Sequence, residues 1–126
     1  VIVGVGFDLV AITRVEQMLA RKEQRALDRL FTAHEQAYAL ARARPAMHLA
    51  ARLAAKEASF KALTGSDEAK LIGWKEAEVV RGSEGPPVLV FTGRAAARAA
   101  ELGVTRVHLT LSHTDEVAGG VVILEA

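Results

Sequence analysis

The sequence contains no cysteine. That excludes a disulfide-stapled scaffold and any cysteine-ligated zinc site. Aromatic residues make up only 5% of the chain, too few to supply a base-stacking platform. Charge of one sign is also missing: 16 basic residues face 15 acidic ones, for a net charge of +1. A nucleic-acid binder needs a strongly basic face, so a nucleic-acid partner is not expected. No apolar run approaches the ~18 residues that cross a bilayer, and the short apolar opening has no basic leader before it. The expectation is a cytoplasmic protein with no membrane partner. Several catalytic signatures are absent as well. Gly4-x-Gly6 does not complete a dinucleotide fingerprint, and there is no phosphate loop, no Gly-x-Ser-x-Gly elbow and no His-x-x-x-His pair.

What is present is an ordinary globular mixture, 51% apolar and 25% charged over 126 residues, which suits a single domain spanning 1–126. Ile2 to Ile12 is β-branched and reads as a strand. Thr13-Arg14-Val15-Glu16 has capping-box spacing and predicts a helix to about Lys22. A second helical piece covers Gln24 to Phe31. Thr32-Ala33-His34-Glu35 repeats the capping-box spacing and opens a third, ending near Arg44. Pro45 sits where a new helix can begin, and His48 to Leu63 is the strongest helical stretch. Leu71 to Arg81 reads as a strand, Gly82 to Pro87 as a turn, and Val88 to Thr92 as a short strand. Gly93 to Leu102 is helical and stopped by Gly103. Val104 to Ser112 and Val117 to Leu124 are strands joined by a turn at His113 to Glu116. The order predicts an α+β fold with helices packed on one face of a mostly antiparallel sheet.

Within the long helix, at about 100° per residue, Leu49, Leu53, Phe60 and Leu63 form one core-facing stripe. Glu57 lies at its edge with Lys61 beside it, and Arg52 lies on the opposite edge. By itself the Glu57/Lys61 spacing reads as a solvated i,i+4 pair worth about 0.2–0.5 kcal/mol. Lys56 falls inside the apolar stripe, where an ammonium must find a partner or snorkel out. Asp8 is a carboxylate in an apolar strand, with Gly4 and Gly6 on its face leaving room for close approach. It is either a strand-end group accepting backbone N–H bonds or an oxygen ligand for a hard cation. Asp8 and Glu57 together, with phosphate oxygens and water, are a shell that Mg²⁺ accepts. His113 ends an apolar strand, either as a turn residue or as a ligand. Arg14, Arg21, Arg25 and Arg29, spaced seven, four and four with Met18 between the first two, form a basic stripe if the first helices are near-continuous. That stripe is either a solvated face or a dock for an acidic helix.

Four segments in order resemble the holo-acyl-carrier-protein synthases, the short 4′-phosphopantetheinyl transferases. They are Gly6-Phe7-Asp8-Leu9-Val10 with Arg14 and Glu16; Phe31-Thr32 with Glu35; Arg52-Leu53-Ala54-Ala55-Lys56-Glu57-Ala58 with Lys61-Ala62-Leu63; and Ser112-His113-Thr114. The resemblance covers essentially the whole chain. It implies transfer of 4′-phosphopantetheine from coenzyme A to a serine of acyl carrier protein, with release of adenosine 3′,5′-bisphosphate. It further implies that Asp8 and Glu57 hold Mg²⁺ on the diphosphate and that Lys61 touches the same phosphates. Arg44, Arg52 and His113 correspond to positions that bind the nucleotide end, with Gly85 and Thr114 beside them. Arg14, Met18, Arg21 and Arg25 correspond to the carrier-protein dock. A homotrimer with active sites between subunits is implied too. Glu84-Gly85-Pro86-Pro87 departs from the family pattern, which carries a lysine there, and Ala43 stands where some relatives have a basic residue. Two other classes compete: a non-catalytic module that holds an acidic partner on the basic stripe, and an RNA-binding domain, which the near-zero net charge opposes.

Overall fold

The computed structural model describes residues 1–81 and 84–126. The part of the expected turn at Gly82 and Ser83 lies outside the described residues. Strand β1 (Ile2–Ala11) leads directly into helix α1 (Ile12–Ala20), followed by α2 (Gln24–Leu30) and α3 (Ala33–Leu40). The long helix α4 (Pro45–Ala62) comes next, with Pro45 in its first turn. Two short 3₁₀ turns, Glu68–Leu71 and Trp74–Glu76, precede β2 (Ala77–Val80) and β3 (Val88–Phe91). Helix α5 (Gly93–Glu101) and the hairpin β4 (Arg106–His113) and β5 (Val117–Glu125) complete the chain.

The α+β architecture with antiparallel strands is as expected, but the strands divide between two sheets. One is β1-β5-β4 and the other β2-β3. Two local expectations are corrected. The first helix starts at Ile12, with Ala11 rather than Thr13 at its N-cap and no side-chain cap. Buried Ile12 and Val15 set that start by packing into the core. Leu71 to Trp74 is not strand, because the two 3₁₀ turns occupy this stretch and strand geometry begins only at Ala77. The first two helices are separate, as their expected bounds imply, so the condition for a continuous basic stripe is not met. Lys22 takes a left-handed conformation (φ 54°) between them, which breaks the helical stripe of arginines. The second capping box forms in full: Thr32 Oγ1 accepts from the Glu35 N–H at 3.1 Å, and Glu35 Oε1 accepts from the Thr32 N–H at 2.9 Å.

The glycines of β1 bring α4 onto the sheet. A Cβ on Gly6 would collide with the Ala58 carbonyl, and one on Gly4 with the Ala62 carbonyl. On β5, a Cβ at Gly120 would press on the Ala55 backbone at 3.0 Å. The group that approaches the two glycines beside Asp8 is therefore the backbone of α4. Its facing residues are small: Ala54, Ala55, Ala58 and Ala62. Register then fixes the face. Asp8 pairs with Gly120, which pairs with Leu111; Val10 pairs with Ala118, which pairs with His113. All six lie on the face that α4 covers, because cross-strand partners share a side of the sheet. Leu49, Leu53 and Leu63 are fully buried, as the helical stripe predicts.

Candidate active site

Asp8 projects from β1 beside α4, where it meets residues one and two turns further along the helix axis. Lys61 Nζ donates to Asp8 Oδ1 at 2.9 Å and to the Phe7 carbonyl at 3.0 Å. Lys61 thus pairs with Asp8, and the expected solvated pair with Glu57 does not form among the described residues. Glu57 instead has Arg14 of α1 nearby, with Nη1–Oε1 at 3.6 Å. The other oxygen of Asp8, Oδ2, is buried and has no hydrogen-bond partner while Glu57 is ionised. An orphaned, buried carboxylate oxygen costs free energy unless a ligand completes it.

The two carboxyl groups are pushed apart in acidity. Burial raises Glu57 first, and the hydrogen bond and negative charge of Asp8 raise it further, to about 7 from an ordinary 4.5. Burial alone would raise Asp8 too. Hydrogen bonds from Glu57 and then from Lys61 outweigh it and hold Asp8 below its usual range. The pair therefore shares a proton near neutrality. A divalent cation can take the place of that proton. No cluster of three or more metal-ligating side chains exists among the described residues. Two carboxylates suit a cation that keeps waters and phosphate oxygens in its shell, and suit Mg²⁺ better than Zn²⁺. A surface cavity of about 630 Å³, lined by Phe60, Lys61, Thr64, Gly65 and Lys70, opens next to this cluster.

A second group of expected residues gathers on the opposite flank of α4. Arg52 is only 3% exposed. Its Nη1 donates to the His48 carbonyl at 3.2 Å, its guanidinium lies over the Tyr38 ring at 4.2 Å, and its Nε has no partner. Arg52 and His113 line one cavity of about 330 Å³, with His48, Arg81, Pro87 and Leu109. Gly85, in a left-handed conformation (φ 85°), sits just before Pro86 and Pro87 at its edge. His113 is exposed, with Nδ1 3.2 Å from the Thr114 carbonyl. Thr114 shapes the hairpin turn: its Oγ1 accepts from the N–H groups of Glu116 and Val117 at 3.2 and 3.1 Å. Arg44 caps the hairpin from outside, reaching the Asp115 carboxylate at 3.6 Å and its carbonyl at 3.3 Å.

The basic stripe is split by the break at Lys22. Arg14 bridges to the carboxylate cluster, Arg21 and Arg25 are exposed, and Met18 is half-buried against the core. The sequence reading missed Arg14 as a partner of Glu57, and it missed Tyr38, Arg42, His48 and Asp115. Tyr38/Arg42 and His48/Arg52 are both four apart on helical segments, so helical spacing carried a signal for them.

Residues 4–121 match the family model of the 4′-phosphopantetheinyl transferase superfamily. The chain belongs to this superfamily, and by that membership it is a phosphopantetheinyl transferase of the holo-[acyl-carrier-protein] synthase type. A holo-[acyl-carrier-protein] synthase of Thermus thermophilus is 52% identical over 99% of this chain and 94% of its own length. Another, from Anaeromyxobacter sp. (strain K), is 46% identical over 98% and 96%. Among solved structures, a holo-(acyl-carrier-protein) synthase from Bacillus anthracis in complex with CoA (3′,5′-ADP) superposes with a TM-score of 0.76. It is 32% identical and covers 99% of this chain and 97% of that one.

Proposed function

We propose that this protein transfers 4′-phosphopantetheine from coenzyme A to a serine hydroxyl of apo acyl carrier protein, using Mg²⁺ held by Asp8 and Glu57. The observation that carries the metal site is the orphaned Oδ2 of Asp8 beside a Glu57 carboxyl raised to about 7. When bound, the cation neutralises charge that builds on the diphosphate oxygens. Lys61, already at Asp8, adds a positive charge at the same place and stabilises the departing phosphate. The serine oxygen forms a bond to the pantetheine-side phosphorus. The bond from that phosphorus to the bridging oxygen breaks, and adenosine 3′,5′-bisphosphate leaves with it. The serine proton passes to the Glu57 carboxylate.

In the same reading, Arg52 and His113 receive the nucleotide end, with Arg44, Gly85 and Thr114 around them. Arg14, Met18, Arg21 and Arg25 face the acidic carrier protein. The active assembly is a homotrimer working in the cytoplasm. Two features support the assembly. The carboxylate cluster and the Arg52–His113 cavity lie on opposite flanks of α4, so a neighbouring copy is needed to bring a second flank close. The outer face of the three-stranded sheet exposes Val5, Phe7 and Leu9 at 60, 53 and 58%. Such a contiguous apolar face marks an interaction surface. Among the described residues, no helix is long and apolar enough to cross a membrane.

Mass spectrometry of apo acyl carrier protein after incubation with this protein, CoA and Mg²⁺ tests the reaction. The expected result is a gain of one phosphopantetheine per carrier, lost when EDTA replaces Mg²⁺. An unmodified carrier with Mg²⁺ present would refute the transfer, and full modification in EDTA would refute the metal site.

A further inference from the structure

Each carboxylate of the Asp8–Glu57 cluster has a side-chain cation of its own, and the two cations are held very differently. Lys61 is fixed: its Nζ bonds Asp8 Oδ1 at 2.9 Å and the Phe7 carbonyl at 3.0 Å. Arg14 is loose. Its Nη1 stands 3.6 Å from Glu57 Oε1, beyond hydrogen-bond reach, and its side chain is 51% exposed. The backbone beneath it is firm, because Ile12 and Val15 of the same helical turn are buried in the core. Helix α1 therefore stays in place while the guanidinium is free to turn. Among the described residues, Glu57 has no other ion-pair partner. A divalent cation at Asp8 and Glu57 is repelled by both positive groups. Of the two, Arg14 is the one that can swing away without breaking a hydrogen bond at the cluster.

We propose that Arg14 gates the metal site: it screens Glu57 in the free protein and turns outward to an acidic group of the docked carrier protein. This rests on the reading of Asp8 and Glu57 as holders of the cation and of Arg14 as part of the dock. Arg14 is then a positioning residue that works through Glu57. One arginine serves two surfaces and couples them. Carrier docking takes a positive charge away from Glu57, so the site gains affinity for the divalent cation. By linkage, the cation tightens carrier binding by the same factor. The cation is held most tightly when the serine to be modified is in place.

Mn²⁺ binding, read from the free-ion EPR signal at one pH and ionic strength, tests this without turnover, because CoA is left out. Apo carrier alone is titrated in parallel and its own Mn²⁺ uptake subtracted. The parent should bind Mn²⁺ about tenfold more tightly with saturating apo carrier than without it. Without carrier, Arg14→Gln should bind Mn²⁺ about tenfold more tightly than the parent, and added carrier should bring no further gain. Arg14→Lys, which returns the positive charge, should restore the weaker parental affinity. Arg21→Gln should weaken carrier binding and leave the carrier-free Mn²⁺ affinity at the parental value, since Arg21 is exposed and makes no ion pair with Glu57. Thermal melts check each fold, and Arg14→Met replaces the Gln variant if that one fails to fold. No carrier effect on the parent, parental Mn²⁺ affinity in Arg14→Gln, or an undiminished carrier effect in that variant overturns the gate while the metal site stands. If the parent binds no Mn²⁺ with or without carrier, or Asp8→Asn binds it as well as the parent, the metal site itself falls, and the gate with it.

Discussion

Lys56 and Glu57 are neighbours in α4, yet each opens onto a different kind of acid–base cluster. Lys56 points inward. Its Nζ contacts Glu35 Oε1 at 2.8 Å, the Ala77 carbonyl at 2.7 Å and the Trp74 carbonyl at 3.1 Å, so all three protons are used. Glu35 in turn accepts from the Val79 N–H at 2.9 Å and closes the capping box of α3. Both side chains are fully buried and every polar atom is satisfied. Glu57 points to the rim. Its cluster has an orphaned oxygen, a carboxyl raised to about 7 and a lysine that is half exposed. A complete network rigidifies the fold, whereas an incomplete one is poised for a ligand. The first cluster ties α3, α4 and β2 together; the second has its remaining valence aimed at a substrate.

The comparison breaks most sharply at Lys56. Lys56→Met leaves the Glu35 carboxylate buried without its counter-charge, and should cost about 3–5 kcal/mol of stability. Urea denaturation reads this directly, and adding Glu35→Gln should recover part of the loss. Glu57→Gln should do the reverse. Folding stability should hold, while phosphopantetheine transfer falls on the order of a hundred- to thousand-fold, equivalent to about 3–4 kcal/mol of barrier. Asp8→Asn should behave likewise. A Glu57→Gln protein with parental turnover would remove the distinction between the two clusters.

How much of this was legible in the chain depends on range. The capping box at Thr32 and Glu35, the stripe of Leu49, Leu53 and Leu63, and the hairpin at His113 are local patterns, and local physics decides them. Asp8 stood out because a carboxylate contradicts its apolar strand, whereas Glu57 read by spacing alone as a solvated partner of Lys61 and gained its role from the family resemblance. The partner of Lys56 did not stand out, because Glu35 lies 21 residues away in a helix of its own and nothing in its spacing points to α4. The break at Lys22 was legible in the separate bounds of the first two helices, although the left-handed lysine that makes it has no composition signal. The stretch Leu71 to Glu76, which carries the end of one 3₁₀ turn and all of the next, was misread as strand because short apolar runs do not distinguish the two.

Gly6→Ala sharpens the comparison at the sheet. The added Cβ meets the Ala58 carbonyl, so α4 must lift from β1. A cost of about 1–3 kcal/mol is expected, with a parallel loss of transfer because Asp8 and Glu57 separate. Lys56 and Glu35 sit on the other side of the helix, so a melt that falls without any loss of activity would mean that the sheet contact does not set the carboxylate spacing.

The smallest effect is a pH slope. In the metal-free protein Glu57 titrates near 7 when folded and near 4.5 in its ordinary state. A carboxyl raised by folding contributes stability in full below about 4.5, and that contribution is lost as pH rises through about 7. Asp8 is held below its usual range, so its contribution is present above that range and changes little between pH 5 and 8. His48, lowered first by burial and then by Arg52, contributes stability that is lost as pH falls below about 6.5, but it does so equally in parent and variant. The difference between parent and Glu57→Gln therefore isolates Glu57. In EDTA the parent's melting temperature should drop by a few degrees relative to the variant between pH 5 and pH 8. With Mg²⁺ the parent should recover, because the cation replaces the shared proton. Identical pH slopes for the two proteins in EDTA would show that Asp8 and Glu57 do not share a proton, and the poised character of the outer cluster would go with it.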